Sequence, residues 1–224
     1  MGKITAIVLS GGVGKRMRTA IPKQYLMLGD KPVLAHSLLT FEKSNVDDIV
    51  IVCGAGDEDY VKKEFVEKYN LSKVSAVCSG GKERYDSVYC GLKACEGTDF
   101  VLIHDGARPY VSEETIQRNI EEVQKYKAVV TGVPVTDTIK ISDEDGYVAD
   151  TPNRKKCYAV QTPQSFDYSV AFQAYDKFMQ ELKSGKTIEA TDDAQVVALF
   201  SEVKVKIIQG EYENTKITNP SDLK

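Results

Sequence analysis

The chain has 224 residues, 42% of them hydrophobic and 28% charged, which is the balance of a soluble globular protein long enough to bury a full core. Its formal net charge of −4 argues against general nucleic-acid binding, although a local basic pocket could still hold an anion. The sequence offers no membrane-length apolar run and no secretory h-region. Its five cysteines, odd in number and without a Cys-x-x-Cys pair, read as free thiols of a cytoplasmic protein and not as a zinc site.

Ile4 to Leu9 is a short apolar run rich in β-formers that meets the loop Ser10-Gly11-Gly12-Val13-Gly14. A buried strand followed by a glycine-rich turn is how α/β proteins bring backbone N–H groups close to phosphates. Two familiar phosphate loops fail here. The Walker pattern is broken because Arg16 follows Gly14-Lys15 and Leu9 stands where the first glycine belongs. The dinucleotide fingerprint is broken at Met17. What remains is a glycine loop carrying Lys15, Arg16, Arg18 and Lys23, charge that suits a triphosphate attacked at phosphorus. Taken alone, the loop fits an ordinary βα turn with solvated lysines equally well.

Helical spacing follows over Pro32–Phe41, then an apolar strand over Asp48–Cys53 and an amphipathic helix over Asp57–Tyr69. Lys73–Cys78 reads as a strand ending at Ser79-Gly80-Gly81, Glu83–Cys95 as a helix and Phe100–His104 as a fourth strand. Ser112 caps the next helix, and Ala128–Val133 is a fifth strand. Strands apolar throughout, alternating with amphipathic helices, predict an α/β fold: a mainly parallel, Rossmann-like sheet covered on both faces, within one domain spanning 1–224. From Pro134 to about Arg154 the pattern changes to alternation around Ser142-Asp-Glu-Asp-Gly146, a protruding β-hairpin arm. A lone hairpin is marginal in water, so a second subunit is the natural surface for it. Phe166–Leu182 is predicted helical, Thr191 caps a short helix over Asp192–Phe200, and Val203–Ile208 is the last strand.

Three further groups carry chemistry. Asp105, just past the fourth strand, sits where open parallel sheets bind ligands, and could hold Mg²⁺ or another divalent cation while phosphates complete the shell. Arg108 would then face an incoming phosphate; the same residues also make an ordinary Asp turn. The pair Gly80-Gly81 lets the chain pass close to a base or ribose, and Ser87 on the following helix could bond to it, though a plain glycine turn has this spacing too. His104 and His36 read as packing residues.

Together, Ser10-Gly-Gly-x-Gly-x-Arg-Met, Pro22-Lys23-Gln-Tyr, Gly80-Gly-Lys-Glu-Arg84-x-x-Ser87 and Asp105-Gly-Ala-Arg108 resemble motifs of the cytidylyltransferases of the 2-C-methyl-D-erythritol 4-phosphate type. Thr136-Asp-Thr138-Ile-Lys140, Asn153-Arg154, Gln161-Thr-Pro-Gln164, Thr191-Asp-Asp-Ala194 and Asn214-Thr-Lys216-Ile-Thr218 extend the likeness over nearly the whole chain. The resemblance implies CTP as co-substrate, Mg²⁺ on Asp105, and transfer of CMP to a polyol phosphate in non-mevalonate isoprenoid synthesis. It implies Arg16, Lys23 and Lys15 as catalytic groups, and Ser10, Gly11, Gly12, Gly14, Gly80, Gly81, Arg84 and Ser87 as the nucleotide site. Asp105, Arg108, Thr138, Arg154 and Lys216 would bind the acceptor, with Thr138 and Arg154 supplied by the partner of a homodimer through the arm. A phosphate nucleophile is already ionised at neutral pH, so no general base is needed. Ribitol-5-phosphate cytidylyltransferase shares most of these motifs, and a catalytically silent nucleotide-binding protein would retain the fold.

Overall fold

The computed structural model describes residues 2–12 and 21–223. Seven strands build one sheet: β1 Ile4–Ser10, β2 Asp48–Cys53, β3 Val74–Ser79, β4 Phe100–Asp105, β5 Ala128–Pro134, β6 Tyr158–Asp167 and β7 Lys206–Gln209. Their order across the sheet is β7-β5-β6-β4-β1-β2-β3. All run parallel except β6, which is antiparallel to both β4 and β5. The helices are α1 Val33–Lys43, α2 Glu58–Val61 (running on as a π-helix over Lys62–Glu67), α3 Arg84–Ala94, α4 Glu113–Tyr126, α5 Tyr168–Lys183 and α6 Asp193–Phe200.

The unbroken apolar strands are explained by two cores. Successive side chains point to opposite faces, so a strand covered on both sides must be apolar at every position. On one face Ala6, Val8, Ile49, Ile51 and Leu102 pack under Leu34, Leu38 and Phe41 of α1 and Ile116 and Ile120 of α4. On the other, Ile7, Val50, Val52, Val101 and Ile103 pack under Val88 and Leu92 of α3, Tyr175 and Phe178 of α5, and Val196 and Val197 of α6. Each such side chain contributes about 2 kcal/mol of transfer free energy.

Strand β6 departs from the sequence expectation. A stretch containing Gln161, Thr162, Pro163 and Gln164 does not read as a central strand, because proline cannot donate to a ladder. The ladder opens to admit it: Tyr158–Val160 pair with Pro134–Gly132, Gln164–Phe166 pair with Val130–Ala128, and the register shifts between. Three residues of β6 therefore stand opposite Thr131 alone, and the Thr131 hydroxyl donates to the carbonyl of Pro163 at 2.7 Å. Phe166 belongs to this strand and not to the helix expected from it. The cap is Asp167, whose carboxylate accepts from the Ser169 and Val170 N–H groups, so α5 begins at Tyr168. Likewise α6 is capped by Asp192 and not by Thr191, and the last strand begins at Lys206 and not at Val203.

The expected hairpin forms. Ile141–Ser142 pairs antiparallel with Val148–Asp150 around a turn in which the Asp143 carboxylate accepts from the Asp145 and Tyr147 N–H groups. Residues 136–151 are all exposed, Ile139, Ile141, Tyr147 and Val148 included. All five cysteines are free. Among the described residues no helix is long and apolar enough to cross a membrane.

Candidate active site

The carboxyl ends of β1, β2, β3 and β4 open into a cleft of about 860 Å³. Ser10, Gly11, Gly12, Lys23, Gly80, Gly81, Arg84, Ser87, Asp105 and Lys216 line it, so residues far apart in sequence meet where an open α/β sheet binds ligands. Gly14, Lys15 and Arg16 lie outside the described residues. Thr138 and Arg154 stand on or beside the arm and away from this cleft, with the Arg154 guanidinium donating to the Thr136 carbonyl at 2.8 Å.

Asp105 is the hub. Its Oδ1 accepts from Arg84 Nε at 3.2 Å and its Oδ2 from Lys216 Nζ at 2.7 Å, while Arg108 Nε lies 4.0 Å from Oδ2. Burial alone would push this carboxyl up; Arg84, Lys216 and Arg108 outweigh it and hold the group well below the usual carboxylate range. Asp105 is therefore ionised at any working pH. Arg108 does not face the cleft directly. Its guanidinium donates to the carbonyls of Asn214 at 2.7 Å and Val160 at 3.4 Å, and its buried Nε has no hydrogen-bond partner among the described residues.

The backbone of this strand end is fixed from behind. The Asp105 N–H donates to Thr162 Oγ1 at 3.1 Å, and that hydroxyl lies 3.1 Å from His104 Nδ1. His104 Nε2 lies 3.2 Å from the Arg108 carbonyl. A hydroxyl that accepts from Asp105 has its proton free for Nδ1, which assigns the ring proton to Nε2 and the donation to Arg108. Burial lowers His104 to about 4, so the ring is neutral, the packing residue that its place in the sequence suggested. The unfolded chain takes up a proton below about pH 6.5 and the native ring does not. This position thus contributes its full stability above about pH 6.5 and loses about 3 kcal/mol of it as pH falls to about 4. Urea midpoints measured between pH 7.5 and 4.5 should show this slope, and His104→Gln should flatten it; an unchanged slope in the variant would refute the assignment.

A terminal segment closes the cleft. The Ile217 N–H donates to the Ala107 carbonyl at 2.8 Å, Asn214 Nδ2 donates to the Thr162 carbonyl at 2.8 Å, and Lys23 Nζ donates to the Ile217 carbonyl at 2.7 Å. Lys23 opens a 3₁₀ turn behind Pro22, which Gln24 ties to the Ser10 carbonyl and Tyr25 to Asp57. Lys23 and Lys216 thus reach the same cleft from opposite ends of the chain.

The glycine pair after β3 has an intramolecular reason. A Cβ on Gly80 would fall 2.5 Å from Ser87 Oγ and 3.2 Å from the Cys53 carbonyl, and one on Gly81 would overlap the side chain of Asp86. The Gly81 N–H donates to Ser87 Oγ at 3.1 Å, and Glu83 and Asp86 form a capping box at the start of α3. The glycines let the loop close on the first turn of α3 while their open side lines the cleft.

Sequence reasoning missed Asp193. Arg84 Nη1 and Nη2 donate to its two carboxylate oxygens at 2.7 Å each, and the Tyr175 hydroxyl donates to Oδ1 at 2.5 Å. Thr191-Asp-Asp-Ala carries the signal of a helix cap, and nothing in its spacing points 109 residues back to Arg84. Gln164 joins the two regions, accepting from the Ala194 N–H at 2.8 Å and donating to Asp192 at 3.1 Å.

Asp105, Arg84, Lys216 and Lys23 around open glycine backbone suit polyanionic ligands. Among the described residues no group of three or more His, Cys, Asp or Glu side chains is placed to hold a metal ion. A divalent cation here would rest on Asp105 and on phosphate oxygens, the usual way in which Mg²⁺ is held, and each Asp105 oxygen keeps a lone pair beyond its cation partner.

Comparison with known proteins agrees with this geometry. The family model described as "IspD: 2-C-methyl-D-erythritol 4-phosphate cytidylyltransferase" matches residues 4–224. A 2-C-methyl-D-erythritol 4-phosphate cytidylyltransferase of Lachnoclostridium phytofermentans is 47% identical over 223 residues, covering 100% of this chain and 94% of the relative. One of Clostridium botulinum strain Eklund 17B is 45% identical over 221 residues, covering 98% and 96%. The crystal structure of the 4-diphosphocytidyl-2C-methyl-D-erythritol synthase from Anaerococcus prevotii superposes with a TM-score of 0.86 at 37% identity, over 99% of this chain and 93% of that one.

Proposed function

This chain belongs to the 2-C-methyl-D-erythritol 4-phosphate cytidylyltransferase family, and from that premise we propose that the cleft above β1–β4 is where it transfers CMP from CTP to 2-C-methyl-D-erythritol 4-phosphate, releasing pyrophosphate. The observation that carries the reading is the meeting of Asp105, Arg84, Lys216 and Lys23 beside glycine backbone in one cleft.

Ser10, Gly11, Gly12, Gly80, Gly81 and Ser87 border the space for the nucleotide, and Gly14, outside the described residues, is assigned to it by the family motif. The acceptor's phosphate, already an anion, attacks the α-phosphorus in line; the new P–O bond forms as the bond to the pyrophosphate oxygen breaks. Lys23, with Arg16 and Lys15, stabilises the charge that builds on the phosphoryl oxygens. Asp105 and Lys216 hold the acceptor end, with Arg108 supporting Asp105 from behind. Asp105 would also hold Mg²⁺ or another divalent cation, which when bound neutralises phosphate charge.

The exposed arm supports a homodimer, in which Thr138 and Arg154 of one subunit complete the acceptor site of the other. A hairpin that leaves Ile139, Ile141, Tyr147 and Val148 in water gains stability when a second copy covers them. Light scattering should give twice the chain mass, and a monomer would remove this part of the reading. A cytoplasmic location fits the free thiols.

The test of function is pyrophosphate release from CTP and Mg²⁺, with methylerythritol phosphate and ribitol 5-phosphate offered in parallel. Preference for the first is expected. Preference for the second would move the protein to polyol-phosphate activation of the other kind, and CTP binding without turnover on either would mark a silent nucleotide-binding protein.

A further inference from the structure

The charged cluster around Asp105 extends beyond the cleft. Asp193 is fully buried on the first turn of α6, in the layer of helices behind the sheet, and belongs to none of the groups assigned to the reaction above. Its carboxylate takes the whole fork of Arg84, with both Nη atoms at 2.7 Å, and a third bond from the buried Tyr175 hydroxyl at 2.5 Å. Arg84 turns its remaining face to Asp105 through Nε at 3.2 Å. A planar guanidinium held bidentate on one side can present Nε in only one direction, which lysine cannot imitate.

Resting on the cytidylyltransferase reading, we infer that Asp193 and Tyr175 are positioning residues for the reaction: they lock Arg84 as a bracket that orients the Asp105 carboxylate, so that Arg84 serves the site through Asp105 and not by direct contact with the nucleotide. Charge accounting agrees. Among Arg84, Lys216, Arg108, Asp105 and Asp193 the formal sum is +1, and without Asp193 it would be +2, with Arg84 drawn toward any phosphate in the cleft. Burial opposes the charge on Arg84, but Asp193 and Asp105 outweigh that and hold its pKa well above the ordinary value. Arg84 therefore stays charged at any working pH, and its two carboxylate partners hold it from opposite sides. Asp193 also sits between two anchors, since the neighbouring Ala194 N–H and Asp192 carboxylate are both tied to Gln164 of β6, so α6 is fixed to the same strand that carries Thr162 beneath Asp105.

The test compares Asp193→Asn, Tyr175→Phe, Arg84→Lys and the double variant Asp193→Asn/Arg84→Lys. Misplacing a catalytic group by about 1 Å costs on the order of 100-fold in rate, so kcat should fall about 10- to 100-fold in Asp193→Asn and in Arg84→Lys. The hydroxyl deletion in Tyr175→Phe should cost a few-fold. CTP affinity, measured by calorimetry, should stay within about threefold of wild type throughout, and the double variant should be no slower than the slower single one, because both act through one unit. The Arg84 Nε–H resonance, seen by nitrogen-15 NMR, should shift or broaden in Asp193→Asn. Should Asp193→Asn not fold, the other two single variants carry the same split. A folded Asp193→Asn with wild-type kcat would overturn the inference. So would a loss of CTP affinity of about tenfold or more in Arg84→Lys, or losses that multiply in the double variant. A wild-type protein silent toward both acceptors would instead overturn the functional reading, and the Nε–H resonance would then decide the bracket on its own.

Discussion

Lys23→Ala is expected to lower turnover by about 10²- to 10³-fold while changing CTP affinity by no more than a few-fold. The reason is the timing of charge. Ground-state CTP spreads its negative charge along the whole triphosphate and thus over several groups of the cleft, so one lysine is expected to contribute little to binding. In the transition state charge concentrates on the α-phosphoryl and on the departing pyrophosphate, and a preorganised ammonium acts there without reorganisation cost. Lys23 is preorganised. Its Nζ is tied to the Ile217 carbonyl at 2.7 Å, and its turn is tied to β1 through Gln24. Steady-state kinetics together with calorimetry separates the two effects; a variant that loses affinity and keeps kcat would make Lys23 a binding group only.

Asp105→Asn should abolish measurable turnover and also destabilise the fold by about 3–5 kcal/mol at neutral pH, because it leaves Arg84, Lys216 and Arg108 around a neutral amide. The pH course identifies the cause. Asp105 has a native pKa depressed below its unfolded value of about 3.9, so its stabilisation is fully present above about pH 4 and disappears only as pH falls through the lower native value. The gap in urea stability between wild type and Asp105→Asn should therefore stay constant from pH 8 to pH 5 and shrink below about pH 4. A gap that closes near neutrality would point to some other group.

How far the sequence speaks depends on the range of the interaction. The parallel strands were legible because both of their faces are apolar, a local property. The arm was legible because its alternation and its acidic turn are local too. Strand β6 was not, since Gln161, Pro163 and Gln164 argue against a central strand until their partners are known. Those partners are Glu211, Thr131, Asp192 and the Ala194 N–H, all brought in by tertiary structure. The same holds within the site. Glycine loops and an aspartate after a strand announce a ligand site by position, so Asp105, Lys23 and the glycines could be picked out. What each side chain touches is a matter of pairs: Arg84 faces Asp193 and Asp105, and Arg108 spends its donors on backbone carbonyls. The start of α6 was misplaced by one residue because Thr191 and Asp192 could both cap it, and that of α5 by two because the strand before it runs on through Phe166.

The way β6 is gripped has a consequence for insertions and deletions. Tyr158, Ala159 and Val160 are fixed against β5, and Gln164 to Phe166 are fixed against both neighbours, so the register on each side of Thr162 is set by the sheet itself. Residues gained or lost between Val135 and Cys157 are taken up in solvent before Tyr158, at a closure cost that grows only slowly with length. The arm can thus be lengthened or shortened without moving Thr162 relative to Asp105. Changes in the length of the arm are thereby kept out of the strand that supports Asp105 from behind.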